Sequence, residues 1–134
     1  MNVDYDNEIV EFLRNKAVKN LDKAYAPYSH HPVSAIAIVV YKNEEYYVHG
    51  VNVENIVNGC SVCAENSLIS NVYTKFGKVF KIKNIVIVGP DEKLLAPCGK
   101  CRQTLAEHCD KNTIINDGWT IEKLLPGAPI LNVY

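Results

Sequence analysis

Pro97-Cys98-Gly99-Lys100-Cys101-Arg102 holds two thiols three positions apart, behind a proline and around a glycine. The run that follows, Arg102-Gln103-Thr104-Leu105-Ala106-Glu107, reads as helix. A Cys-x-x-Cys pair at a helix start sets both sulfurs on one face, about one turn apart. Free N–H groups and the helix dipole favour negative charge there, which helps to hold a thiolate. Two sulfurs do not complete a zinc site, which takes about four ligands. Further ligands have to come from elsewhere in the chain, and the fold has to carry them to this helix.

With 134 residues the chain is expected to form one domain, residues 1–134. A chain of this size buries roughly two-thirds of its unfolded surface, enough for a core without disulfide staples. The composition is 48% hydrophobic and 22% charged, ordinary for a folded globular protein. Fourteen Lys and Arg against fifteen Asp and Glu give a net charge of −1. No basic run interleaves with aromatics, so a nucleic-acid partner is not expected. The longest apolar run, Ile36 to Tyr41 with Val33 and Ala35 before it, is far too short to span a bilayer. Met1-Asn2-Val3-Asp4-Tyr5-Asp6 is acidic and polar rather than a secretory leader, and the expected location is cytoplasmic. Five cysteines, two of them in Cys-x-x-Cys, suit metal binding in a reducing compartment better than a disulfide framework.

Apolar residues Ile9, Leu13, Ala17, Leu21 and Ala24 predict a helix from about Asp6 to Ala24. The two prolines of Ala26-Pro27-Tyr28-Ser29-His30-His31-Pro32 demand a loop. Val33 to Tyr41 reads as a buried strand, Lys42-Asn43-Glu44 as a turn and Glu45 to Asn52 as the returning strand of a hairpin. A connecting loop leads to a helix from Cys63 to Phe76, stopped by Gly77. Ile82 to Val88 is an apolar strand, and the Cys98 helix ends near Cys109. Asn112 to Asn116 reads as a weak strand, and Thr120 to Leu125 as a short helix capped by Thr120. This order predicts an α/β fold: a single-domain α/β/α sandwich with a mixed sheet of four to five strands.

The second of these helices also begins with a thiol, in Cys63-Ala64-Glu65. Cys63, Cys98 and Cys101 would bind zinc and leave a fourth position for water, as catalytic sites do. Glu65, two residues from a ligand, is placed to take a proton from that water rather than to bind the metal. Cys60 supplies the rival reading. Cys60-x-x-Cys63 with Cys98-x-x-Cys101 spells a closed four-cysteine site, and Glu65 is then only a helix-start carboxylate in a non-catalytic, zinc-stabilised binding module. Cys109 reads as a core or surface thiol, and His49 and His108 as surface or strand residues.

Cys63-Ala64-Glu65 together with Pro97-Cys98-Gly99-Lys100-Cys101-Arg102-Gln103 resembles the small homotetrameric, zinc-dependent cytidine deaminase family. Ala26-Pro27-Tyr28-Ser29, Gly50-Val51-Asn52-Val53-Glu54-Asn55 and Leu124-Leu125-Pro126-Gly127 match it in order, so the likeness covers most of the chain. The resemblance implies hydrolytic deamination of cytidine or deoxycytidine to uridine or deoxyuridine plus ammonia, in pyrimidine salvage. It implies one Zn2+ per subunit on Cys63, Cys98 and Cys101, and Glu65 as the catalytic proton carrier. Asn52 and Glu54 would hold ribose hydroxyls, which suits an amide and a carboxylate. The partners implied are a nucleoside and further copies of the chain in a homotetramer, with no nucleic acid and no membrane.

The chain also departs from the family pattern. His31, Asn58 and Pro129 stand at positions that are usually aromatic. His31 is a candidate to stack on the base, against the plainer reading of a solvated loop histidine beside His30. The lost rings keep open another cytosine nucleoside, such as blasticidin S, as substrate. Asn66 replaces a frequent Arg, so helix N-termini and Arg102 have to offset more of the thiolate charge. The span from Cys109 to Leu124 is short for two strands, so a fifth strand is expected to be short or missing.

Overall fold

The sheet is the part of the fold that both helix layers need. A computed structural model describes residues 4–128. Strand β1 (Ser34–Tyr41) turns through Lys42 and Asn43 into β2 (Glu44–Val51), with Ser34 opposite Val51 and Tyr41 opposite Glu44. Lys42 and Asn43 both have positive φ, 51° and 64°, the backbone of a two-residue turn whose twist matches that of the strands it joins. Strand β3 (Lys81–Val88) pairs antiparallel with the other edge of β1, and β4 (Ile114–Ile115) runs parallel to β3. The order is β2-β1-β3-β4, a mixed sheet of four strands among the described residues.

Alternation along β1 and β3 sends side chains to two different cores. Ile36, Ile38, Val86 and Val88 face α1 (Asn7–Val18) and pack on its buried Val10, Leu13 and Ala17. Ala35, Ala37, Val39, Ile85 and Ile87 face the other way. There they meet Leu68, Ile69 and Val72 of α2 (Ala64–Phe76), Leu105 and Ala106 of α3 (Gly99–His108), and Ile121 and Leu124 of α4 (Ile121–Leu124). The result is the expected α/β/α sandwich. Asp6 starts α1 by accepting from the N–H groups of Glu8 at 3.0 Å and Ile9 at 3.3 Å, an N-cap.

Two elements differ from the sequence reading. The first helix stops at Val18, and Leu21–Lys23 forms a separate turn of 3-10 helix. Asn20 stands at the break: its side-chain amide bonds to His49 Nδ1 on β2 at 2.9 Å, and its backbone (φ −99°, ψ 0°) is well off the ideal α-helical values. The strand expected over Asn112 to Asn116 shrinks to Ile114–Ile115, because Asn116 adopts a left-handed φ of 52°. Pro129, expected to sit near the base, lies outside the described residues.

Gly50 decides how close β2 comes to α2. A Cβ there would lie 2.3 Å from the Leu68 amide nitrogen and 2.5 Å from the Ala64 carbonyl oxygen. Both are backbone atoms, so no side chain can yield. Asn71 of α2 adds a bond from its amide to the His49 carbonyl at 2.7 Å. Gly50→Ala is therefore expected to destabilise the fold by about 3 kcal/mol or more, read as a lower midpoint in urea denaturation.

Candidate metal centre and active site

Three thiols meet because two helices start at the same place. Cys63 is the N-cap of α2 and Cys98 the N-cap of α3, both with extended backbone, and Cys101 lies in the first turn of α3. Neither cap sulfur accepts from a backbone N–H of its own helix. The strands bring the two starts together. From β2 the chain continues through Asn52, whose N–H donates to the Val33 carbonyl at 3.2 Å. Val53 then forms bridges to Tyr25 and Val62, and this returns the loop to Cys63. On the other side, β3 leads through Leu94 and Leu95 to Pro97 and Cys98.

The Sγ atoms of Cys63, Cys98 and Cys101 lie within 4.8 Å of one another. Sulfurs tetrahedral around zinc, about 2.3 Å from it, stand about 3.8 Å apart, so one ion fits among them. The donor set also fits: soft thiolates, partly shielded, at two positive helix ends. Cys60 is outside this group. It sits exposed on the 3-10 turn Asn58–Cys60, and its carbonyl accepts from the Asn55 amide at 2.8 Å. The geometry therefore supplies three sulfurs, and the closed four-cysteine site is not formed among the described residues.

Burial pushes the Cys63 thiol up, with only partial relief from its bond to Cys101. Burial, followed by the Glu65 carboxylate, pushes Cys101 up strongly. Metal binding has to displace these protons, so affinity for the ion falls as pH falls. Glu65 is buried, 5% exposed, in the first turn of α2. Burial raises its carboxyl above the usual range, opposed by a backbone amide and by Cys101. Arg102 does not face the sulfurs: its Nε donates to the Pro97 carbonyl at 2.8 Å and its Nη1 to the Leu124 carbonyl at 2.9 Å. The guanidinium thus straps the turn before Cys98 to the end of α4, and charge relief at the thiols comes from the helix N-termini and, at Cys63, from Lys100.

A cavity of about 310 Å³ opens on the cluster. Its lining includes His31, Asn52, Cys63, Glu65, Cys98 and Cys101, together with Leu95 and Ala96. Asn52 is half committed to the fold: Oδ1 accepts from the Val33 N–H at 2.8 Å and Nδ2 donates to the His31 carbonyl at 3.0 Å. One amide hydrogen and one lone pair remain. Glu54 is not among the lining residues. It faces an adjoining hollow of about 390 Å³ with Tyr28, Ser29, Asn55 and Asn58. Its carboxylate accepts from the N–H groups of Tyr28 at 3.0 Å and Ser29 at 3.1 Å, and from the Ser29 hydroxyl. Those bonds hold Glu54 below the usual carboxylate range, the Ser29 hydroxyl first. Cys109, His108 and His49 belong to the fold: burial takes Cys109 up to about 12, His108 bonds Tyr73, and His49 bonds Asn20.

Residues 7–116 match the family model described as the cytidine and deoxycytidylate deaminase zinc-binding region. The chain belongs to this family. A cytidine deaminase of Sporosarcina psychrophila is 33% identical over 127 residues, 89% of this chain and 90% of its own. The crystal structure of cytidine deaminase from Mycobacterium tuberculosis superposes with a TM-score of 0.82 at 32% identity, over 96% of this chain and 100% of that one. The Mycobacterium leprae cytidine deaminase structure gives 0.77 at 35% identity, over 91% and 99%. Zinc is accordingly the cofactor of this deaminase fold, and the four-cysteine binding module and the blasticidin S reading are not favoured. Among the described residues no helix is long and apolar enough to cross a membrane.

Cys60→Ala is expected to keep one zinc per chain in metal analysis of purified protein, and Cys98→Ala to lose it. Loss from both variants alike would restore the four-sulfur site.

Proposed function

We propose that this deaminase converts cytidine and deoxycytidine, with one water, to uridine and deoxyuridine with release of ammonia. The observation that carries the reading is a buried Glu65 carboxyl set against three converging thiols at one cavity. Cys63, Cys98 and Cys101 hold the ion. Zinc held there would supply a water that ionises near neutral pH. Glu65 accepts a proton from that water and delivers it to the ring nitrogen N3, next to the carbon under attack. As the water oxygen bonds to C4, the carboxyl would take that oxygen's remaining proton and pass it to the amino nitrogen, the C4–N bond breaking as the C4 carbonyl forms, so one carboxyl serves both transfers. The low-dielectric surroundings of Glu65 keep the proton in the site between the two steps.

Asn52 holds a ribose hydroxyl through its spare amide hydrogen and lone pair. Glu54 accepts from a second hydroxyl while its bonds to Tyr28 and Ser29 keep that loop in place. His31 offers the base a flat ring in place of a larger aromatic. Asn58, beside Glu54, adds a polar group where the family has a ring. The enzyme works as a homotetramer in the cytoplasm, in pyrimidine salvage. Exposed Ile56, Val57, Tyr25, Val53 and Val62 form an apolar surface beside the site that supports association with further copies.

The test is turnover by the zinc-loaded chain, read as uridine and ammonia formed from cytidine, with deoxycytidine and blasticidin S alongside. Cytidine and deoxycytidine are expected to react, and absence of turnover with zinc bound would overturn the reading. Glu65→Gln is expected to keep its zinc and to lower kcat by about 10²–10⁴-fold. Activity near the unaltered level in that variant would remove Glu65 from the chemistry.

A further inference from the structure

One wall of the cavity comes from neither the metal ligands nor a helix. Leu95 and Ala96 form it, in the segment between β3 and Cys98. A continuous run of bonds along the open edge of β3 fixes that segment. The Ile85 carbonyl accepts from the Asn116 backbone N–H at 2.8 Å. Next along the edge, the Ile87 N–H donates to Asn116 Oδ1 at 2.9 Å. The Ile87 carbonyl then accepts from the Leu95 N–H at 2.8 Å. Asn116 Nδ2 closes the seam by donating to the Leu95 carbonyl at 3.0 Å.

This arrangement has a clear physical origin. Strand β4 is two residues long, and its ladder with β3 ends at Ile115. Asn116 turns left-handed there (φ 52°), a conformation Asn tolerates better than most residues. The backbone departs, and the side-chain amide stays on the edge to fill the rung that a longer strand would have filled. It also splices β4 to the returning segment, in which Leu94 bridges antiparallel to Val88. Asn116 is 4% exposed; its bond to the Ile87 N–H is buried and costly to lose, and its bond to the Leu95 carbonyl is part-buried. The wall it holds shares Gly89 with His31: a Cβ on Gly89 would lie 3.6 Å from Leu95 Cδ2 and 3.8 Å from His31 Cε1. Both side chains therefore pack over the same glycine.

We propose that Asn116 is a positioning residue of the active site, whose carboxamide sets the Leu95–Ala96 wall against which the base is held. It is not among the cavity-lining residues and acts through Leu95. The proposal rests on the deaminase reading above, in that the wall serves a pyrimidine.

Asn116→Asp separates this role from simple stability. The aspartate keeps the acceptor for the Ile87 N–H and loses the donor to the Leu95 carbonyl. KM for cytidine is expected to rise by about tenfold with kcat within about twofold, since a misplaced wall weakens binding in ground and transition states alike. Zinc stays at one per chain. A protonated Asp regains a donor, so kcat/KM relative to the unaltered enzyme is expected to recover as pH falls. Asn116→Gly accepts the left-handed backbone without a buried charge; it is expected to show the same KM rise with no recovery at low pH. Hydrogen exchange gives a readout without activity: the Ile87 and Leu95 amides exchange faster in Asn116→Gly, with those of β1 unchanged. Unaltered KM and unaltered Leu95 exchange in the folded variants would overturn the proposal. If the unaltered chain does not turn over cytidine, the deaminase reading fails, and exchange at Leu95 still decides whether Asn116 holds the wall.

Discussion

Three sulfurs have to occupy one coordination sphere, and they come from two helix starts 35 positions apart (Cys63 and Cys98). Most of the fold serves that convergence. The sheet fixes the direction of both helices, since α2 and α3 lie on the same face over Ala35, Ala37, Ile85 and Ile87. Gly50 lets β2 approach α2 at backbone contact, which sets where Cys63 and Glu65 stand. Arg102 ties the turn before Cys98 to α4. Burial raises the Cys63 and Cys101 thiols, so a divalent cation has to displace their protons to bind. The same burial keeps Glu65 from being a mere helix-start carboxylate on the surface.

The site is divided between metal chemistry and substrate grip, and the two halves are built differently. The metal half uses regular elements: two N-caps and one helical turn. The substrate half uses loops whose polar groups are already engaged. Asn52 and Glu54 each hold backbone groups of the segment from Tyr28 to Val33, and this segment delivers His31 to the cavity. Under the proposed function, ligand contacts and loop order draw on the same two side chains. His31 lines the cavity and Asn58 the hollow that holds Glu54, and neither is among the three converging thiols.

The metal half is the more legible from sequence, because ligand spacing is a local signal. Cys63-Ala64-Glu65 and the Cys98 pair are readable without knowing what packs against them. The hairpin and both buried strands are equally local, written as apolar runs around a turn. What escapes a sequence reading is long-range. Spacing leaves Cys60 open as a fourth ligand beside Cys63, and only its exposed turn takes it out of the group. The first helix looks continuous because Leu21 and Ala24 keep the apolar stripe, but Asn20 is drawn off to His49. Arg102 is expected from its position to serve the thiolates, and two carbonyls claim it instead. Asn116 looks like the end of a weak strand. Its work depends on Ile87 and Leu95, which pattern reading cannot bring beside it.

The central claim is a three-thiolate zinc centre with one position free for water, made by Cys63, Cys98 and Cys101. X-ray absorption at the zinc edge on the zinc-loaded chain counts the neighbours directly. The account predicts three sulfurs at about 2.3 Å and one lighter oxygen neighbour at about 2.0 Å. Four sulfurs around the ion would contradict it.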